Sequence, residues 1–162
     1  MGGAVTGLEP RAFTWVIKGR LAVCERIGGY GIQHRRVRRE EEILWLRSQA
    51  KINTVVTLLA GAQNVANYQE AGFRVFHEPL VGEYEKEDVD RVFRTLDAAL
   101  ASRTSVVLVH RDLVDDTISG LLAGFLVHSQ LITDPIFAIA IIQEIIGRPL
   151  GPEGRALVPV GA

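Results

Sequence analysis

Apolar residues in this chain follow two rhythms that take turns along its length. Short β-branched or aromatic runs at 13–17, 21–24, 53–59, 73–77 and 105–109 read as strands. The first two flank Lys18-Gly19-Arg20 and predict a hairpin turning at Gly19. After Asn53 the 53–59 run is apolar or β-branched throughout, the mark of a strand covered on both faces. Between the runs a helical period takes over. Ile43, Leu44 and Leu46 follow the charged entry HRRVRREEE, a polar helix occupies roughly 62–70 before Gly72, and Val89, Val92, Phe93, Leu96 and Leu100 share one face of a helix over about 86–101. A further helix restarts at Thr117, and Asp134-Pro135 opens another over 136–146. Strands alternating with helices predict an α/β domain of three layers, a mainly parallel central sheet with helices on both faces.

In such sheets ligands sit beyond the carboxyl ends of the strands, which directs attention to 105–130. There an apolar run ends at His110, breaks into RDLVDD and resumes as a helix, so unpaired helix N–H groups face the strand end and suit an anion. The loop instead carries Asp112, Asp115 and Asp116, which would repel one. The preferred reading is structural: Asp115 or Asp116 caps the helix while Arg111 pairs with a neighbouring carboxylate. Two others remain open. Asp112, Asp115, Asp116 and His110 would gather Mg²⁺ or Ca²⁺, or the loop is a polar surface for a basic partner. The string DLVDDT imitates an aspartate-nucleophile motif, but Asp112 and Asp115 stand three apart, which does not project them together. His77 and His110 end apolar strands and read as hydrogen-bonded structural histidines rather than general bases.

Length and charge narrow the classes. A chain of 162 residues supports one self-sufficient core. The expected layout is a loose arm at 1–12, a domain at 13–158 and a tail at 159–162. With 18 basic and 19 acidic side chains, bulk attraction to nucleic acid or membrane is not expected. Arg36 with Glu40 and Arg38 with Glu42 read as solvated pairs on a helix face; the alternative is that the arginine cluster meets an acidic partner. Cys24 is the single cysteine, and no signal peptide or spanning segment is visible, so a reducing, cytoplasmic setting is expected. The 136–146 helix is apolar at nine of its eleven positions. Ile136, Phe137, Ile139, Ile141, Ile142 and Ile145 are therefore expected to form an interface with a protein partner or a second copy.

From about 13 to 158 the sequence also resembles the bacterial members of the dual-specificity and tyrosine phosphatase superfamily. The matching pieces are FTWVIKGRLA, ILWLRSQ before INTVVTLL, FHEPL, and VVLVH followed by a loop and GLLAGFLV. The resemblance implies a cysteine-phosphatase-like fold. The superfamily signature is a His, a nucleophilic Cys, five residues, then an Arg and a Ser or Thr. On that pattern His110 matches, Arg111 stands in place of the Cys, Val114 in place of a Gly, Thr117 in place of the Arg and Ile118 in place of the hydroxyl. In the segment that would carry the general acid, Pro79 is present but Gly82 occupies the Asp position; Glu83 or Glu85 would substitute only in a rearranged loop. A guanidinium is no nucleophile toward phosphorus, and Thr cannot form the bidentate phosphate fork. The resemblance thus implies a degenerate member, a pseudophosphatase without catalytic residues, metal or cofactor. Its vestigial phosphate loop is His110, Arg111, Asp112, Leu113, Val114, Asp115, Asp116 and Thr117, and its vestigial acid loop is Gly82 and Glu83. The competing expectation is a hydrolase with altered, metal-assisted chemistry in the aspartate loop.

Overall fold

A computed structural model describes residues 7–159. The five predicted strands form one sheet: β1 (Thr14–Ile17), β2 (Leu21–Cys24), β3 (Thr54–Thr57), β4 (Arg74–His77) and β5 (Val107–His110), in the order β1-β2-β5-β3-β4. The β1–β2 hairpin is antiparallel and turns at Gly19, whose φ of +74° only a residue without Cβ adopts freely; every other pairing is parallel. The central three strands are buried along their whole length, as their unbroken apolar runs predict.

Alternation along these strands divides the core in two. Ala22, Cys24, Val55 and Leu108 pack with Leu46 and Tyr68 beneath α1 (Arg36–Ser48) and α2 (Val65–Glu70). Leu21, Val23, Val56, Val107 and Val109 face α3 (Lys86–Leu100), α4 (Asp116–His128) and α5 (Pro135–Ile146) on the other side. The α3 stripe Val89, Val92, Phe93 and Leu96 is buried as its spacing predicts, and its start is fixed by a capping box between Glu85 and Asp88. Asp134 accepts the Ile136 N–H at 3.0 Å, and Gly147 at φ +87° ends α5.

The structure departs from the sequence reading in three places. A short α6 (Pro152–Arg155) occupies a stretch with no legible pattern, because it is held by α4 rather than by its own periodicity. Residues 7–12, expected as a loose arm, lie on the domain: the Leu8 N–H donates to the Glu41 carbonyl at 3.0 Å and Pro10 is buried. The rest of that arm, residues 1–6, and residues 160–162 of the expected tail lie outside the described residues. Finally, only one arginine–glutamate pair is solvated. Arg36–Glu40 is exposed, whereas Glu42 is 1% exposed, bound by Arg38 Nε at 2.6 Å and by the Gly28 N–H at 2.9 Å. Glu42 anchors the β2–α1 segment to its helix. No helix among the described residues is long and apolar enough to cross a membrane.

Candidate functional site

The loop from His110 to Thr117 sits at the carboxyl edge of the sheet, entered from β5 and left through the first turn of α4. Asp115 is the N-cap of α4. Its Oδ1 accepts the Ile118 N–H at 3.2 Å and its Oδ2 accepts Arg111 Nη1 at 2.9 Å. Arg111 Nε donates to the Leu80 carbonyl at 2.8 Å, so this one guanidinium ties the 111–115 loop to the 78–85 segment. The preferred sequence reading of Asp115 and Arg111 therefore describes the observed geometry. The helix end meets a carboxylate of its own chain, and that carboxylate meets a cation of its own loop.

Asp116 serves a different purpose. Its two oxygens accept the N–H groups of Gly151 (2.6 Å) and Gly154 (2.7 Å), which fasten α6 to the start of α4. Val114 packs against the larger core cluster, Thr117 is buried, and Leu113 is exposed. No residue from 111 to 117 has positive φ. The Asp112 carbonyl accepts the Arg26 N–H at 3.2 Å, and the residue lines a pocket of about 230 Å³ with Arg111, Asp115, Gly82, Val81 and Tyr30. Gly82, at φ +58°, and Glu83 are exposed. The three aspartates thus diverge to three sets of partners. Among the described residues no group of three His, Cys, Asp or Glu side chains has the arrangement to hold a metal ion.

The histidines differ from one another. His77 Nε2 lies 2.8 Å from the Leu59 carbonyl, a structural bond across the edge of the sheet. His110 is fully buried on the α1/α2 face, where its Nδ1 accepts the Ile27 N–H at 3.4 Å and its Nε2 meets nothing. Burial, and then the Arg26 charge, push its pKa down to about 3. Cys24 beside it is buried, with its thiol pushed up by desolvation and next by Glu42 and Glu25, so it is an unreactive small hydrophobe. A larger cavity, about 590 Å³, lies between α3 and the segment after α6, lined by Phe93, His128 and Leu157.

The sequence matches no protein family model and no curated protein. Solved structures do match over nearly the whole chain. A kinase associated phosphatase carrying serine for its catalytic-site cysteine superposes with a TM-score of 0.73 at 16% identity, covering 91% of each chain. Tk-PTP in its active form gives 0.68 at 14% identity, covering 90% of this chain and 92% of its own. Human DUSP28 (in a Tyr-to-His variant) gives 0.64 at 13% identity, covering 93% and 92%. The chain has the fold of the protein tyrosine and dual-specificity phosphatases. In this phosphatase fold the 110–117 loop joins the central strand to the most buried helix, whose residues 117–126 are all buried.

The expected interface on α5 divides in two. Ile136 and Phe137, at 78% and 54% exposed, project from its first turn, with Leu131 exposed just before it. Ile141 and Ile145 are half-buried. Ile142 is a correction, because it is wholly inside the domain's own core, and Ile139 packs against the same cluster. A helix that is apolar all round spends one side on its own α4, so only the remainder can face a partner. Sequence reasoning missed the Leu80 carbonyl, the Gly151 and Gly154 amides and the buried Glu42. The Gly-Pro-x-Gly string at 151–154 was the one available sign, since a helix start there needs an acceptor and brings none of its own.

Proposed function

We propose that this protein is a pseudophosphatase: a phosphatase-fold domain that does not turn over phosphate esters and acts by binding, as a regulatory, scaffolding or oligomer-forming protein. On the resemblance of the loop, Arg111 occupies the nucleophile's position, Thr117 the phosphate-gripping arginine's and Gly82 the general acid's. The observation that carries the reading is the Arg111–Asp115 pair. A phosphate dianion arriving at the start of α4 meets a carboxylate that already caps the helix and a guanidinium that is already neutralised. Nucleophile, clamp and acid are separately essential to cysteine-dependent hydrolysis, and losing a covalent nucleophile alone removes several orders of magnitude in rate.

The test is hydrolysis of a generic aryl phosphate by the full chain, with and without Mg²⁺. The expected outcome is release at the uncatalysed rate under both conditions. The competing reading, metal-assisted hydrolysis through the aspartate loop, rests on Asp112, which lines the pocket. Mg²⁺-dependent turnover that Asp112→Asn abolishes would establish that reading and overturn the binder. Binding is assigned to a protein partner or a second copy of this chain at the exposed start of α5, with Ile136 and Phe137 as anchors.

A further inference from the structure

On the α1/α2 face, the last row of the sheet sets two polar side chains beside a buried thiol. Cys24, His110 and Thr57 are register neighbours on β2, β5 and β3, and each lies two residues beyond an apolar residue, Ala22, Leu108 or Val55, that packs under α1 and α2. All three are buried. Tyr68 of α2 stands over the row, its ring edge-on to His110 with centroids 5.7 Å apart.

Hydrogen bonding in this region is one-sided. Because His110 Nδ1 accepts from Ile27, the neutral ring carries its proton on Nε2, a buried donor without an acceptor. Asn64 Oδ1 takes Arg39 Nη1 at 3.4 Å, which assigns Nδ2 to the free side of the amide, and that atom too has no partner. The Tyr68 hydroxyl, Thr57 Oγ1 and the Nε atoms of Arg26 and Arg39 are likewise buried and unpaired. The Arg26 guanidinium has no hydrogen bond or ion pair among the described residues. Six buried groups that can donate, only two of them hydroxyls that can also accept, are left without a partner, as is His34 Nε2, and folded proteins avoid such an arrangement unless something else completes it.

The local field is positive at the two histidines, while at Tyr68 Glu42 opposes the arginines and at Cys24 the field comes from Glu42 and Glu25. Arg26 acts on His34, Tyr68 and His110, and Arg39 acts on His34 and Tyr68. His34 is held toward its neutral form by burial and then by Arg26, Arg39, Arg38 and Arg35 together. The nearest buried carboxylate, Glu42, is already engaged by Arg38 and the Gly28 N–H. Positive charge and unmet donors therefore coincide on the sheet face opposite α4, at the root of the 110–117 loop, where His110 enters it and the Arg26 N–H bonds the Asp112 carbonyl.

We propose that Arg26, Arg39, Asn64 and Tyr68, over a floor of His110 and Thr57, form a binding site for one phosphate-type oxyanion. The anion supplies the acceptors these groups lack, and the guanidinium groups supply charge-assisted bonds to it. Either the free ion or the phosphate end of a small ester brings this chemistry.

The test uses the full chain in chloride buffer at fixed ionic strength, titrated with inorganic phosphate and, separately, with glycerol phosphate, by calorimetry and thermal melting. Saturable binding of one anion per chain is expected, with a melting temperature that rises with anion concentration. Binding of phosphate alone identifies the free ion as ligand, and binding of both identifies a phosphate end. Arg26→Gln and Tyr68→Phe each weaken the affinity about tenfold or more, whereas Arg36→Gln, which removes an exposed arginine of the same charge, leaves it unchanged. In chloride Tyr68→Phe melts at or above the wild-type temperature, because it deletes an unmet polar group without adding another. No saturable binding of either anion, or an equal response in wild type, Arg26→Gln and Tyr68→Phe, overturns the site. So does a crystal grown from phosphate with only water in the cluster.

Discussion

His110 ends β5 with its ring sealed beneath Tyr68 and its pKa pushed down to about 3 by burial and the Arg26 charge. In the unfolded chain a histidine titrates near 6.5. Between those values the unfolded state binds a proton that the folded state refuses, so stability increases with pH through the window. The contribution is complete above about 6.5 and is lost as pH falls toward 3, at about 1.4 kcal/mol per pH unit. Urea denaturation at three pH values between 6.5 and 4.5 should give a steeper dependence for wild type than for His110→Asn, by one proton. The asparagine keeps an acceptor for the Ile27 N–H, and the other titrating groups are common to both proteins. Parallel curves would mean that the folded ring is charged or open to water. At this scale the sequence shows that a histidine closes an apolar strand. It does not show what the two nitrogens meet, because Ile27, Tyr68 and Arg26 arrive from elements far apart in the chain.

The contact between α4 and α6 was the least legible element-scale feature. A Cβ on Gly120 would run into the Gly154 backbone, and one on Gly124 into the Leu157 carbonyl. These glycines are absences of side chain that admit another segment, which no periodicity announces. Gly120→Ala gains about 1 kcal/mol of helix propensity. It should nonetheless destabilise the protein by about 1–3 kcal/mol, since both surfaces are backbone and neither can yield without displacing α6. Asp116→Ala acts on the same joint from its polar side. Loss of two short bonds to Gly151 and Gly154 should cost about 2–3 kcal/mol and leave those amides open. Hydrogen exchange separates a local joint from a general loss: the Gly151 and Gly154 amides should exchange faster while those of α3 keep their protection. Uniform acceleration would place the cost elsewhere. By contrast, α3 and the strands were legible to within a residue or two, because their own apolar spacing fixes which face is buried.

For the molecule as a whole, the two cores account for the phosphatase fold, and the aspartate loop was legible as a cap with its paired arginine. The polar cluster around Arg26 was not, since its members are scattered from β2 to β5 and each is unremarkable alone. What the two cores leave over is the start of α5. Leu131, Ile136 and Phe137 form an exposed apolar corner, while Ala138 and Ile142 of the same helix are buried at home. Burying a side chain as large as these stabilises an interface by about 1.5–3 kcal/mol, and a glutamate facing the partner's apolar surface reverses the sign. If this corner is the binding surface, wild-type protein at tens of micromolar should scatter light above the monomer mass, or do so once its partner is added. The double variant Ile136→Glu with Phe137→Glu should stay monomeric and lose that partner, with an unchanged urea midpoint because neither side chain belongs to the core. Association that survives both glutamates would remove α5 from the interface. A variant that also lost stability would show instead that the corner serves the fold.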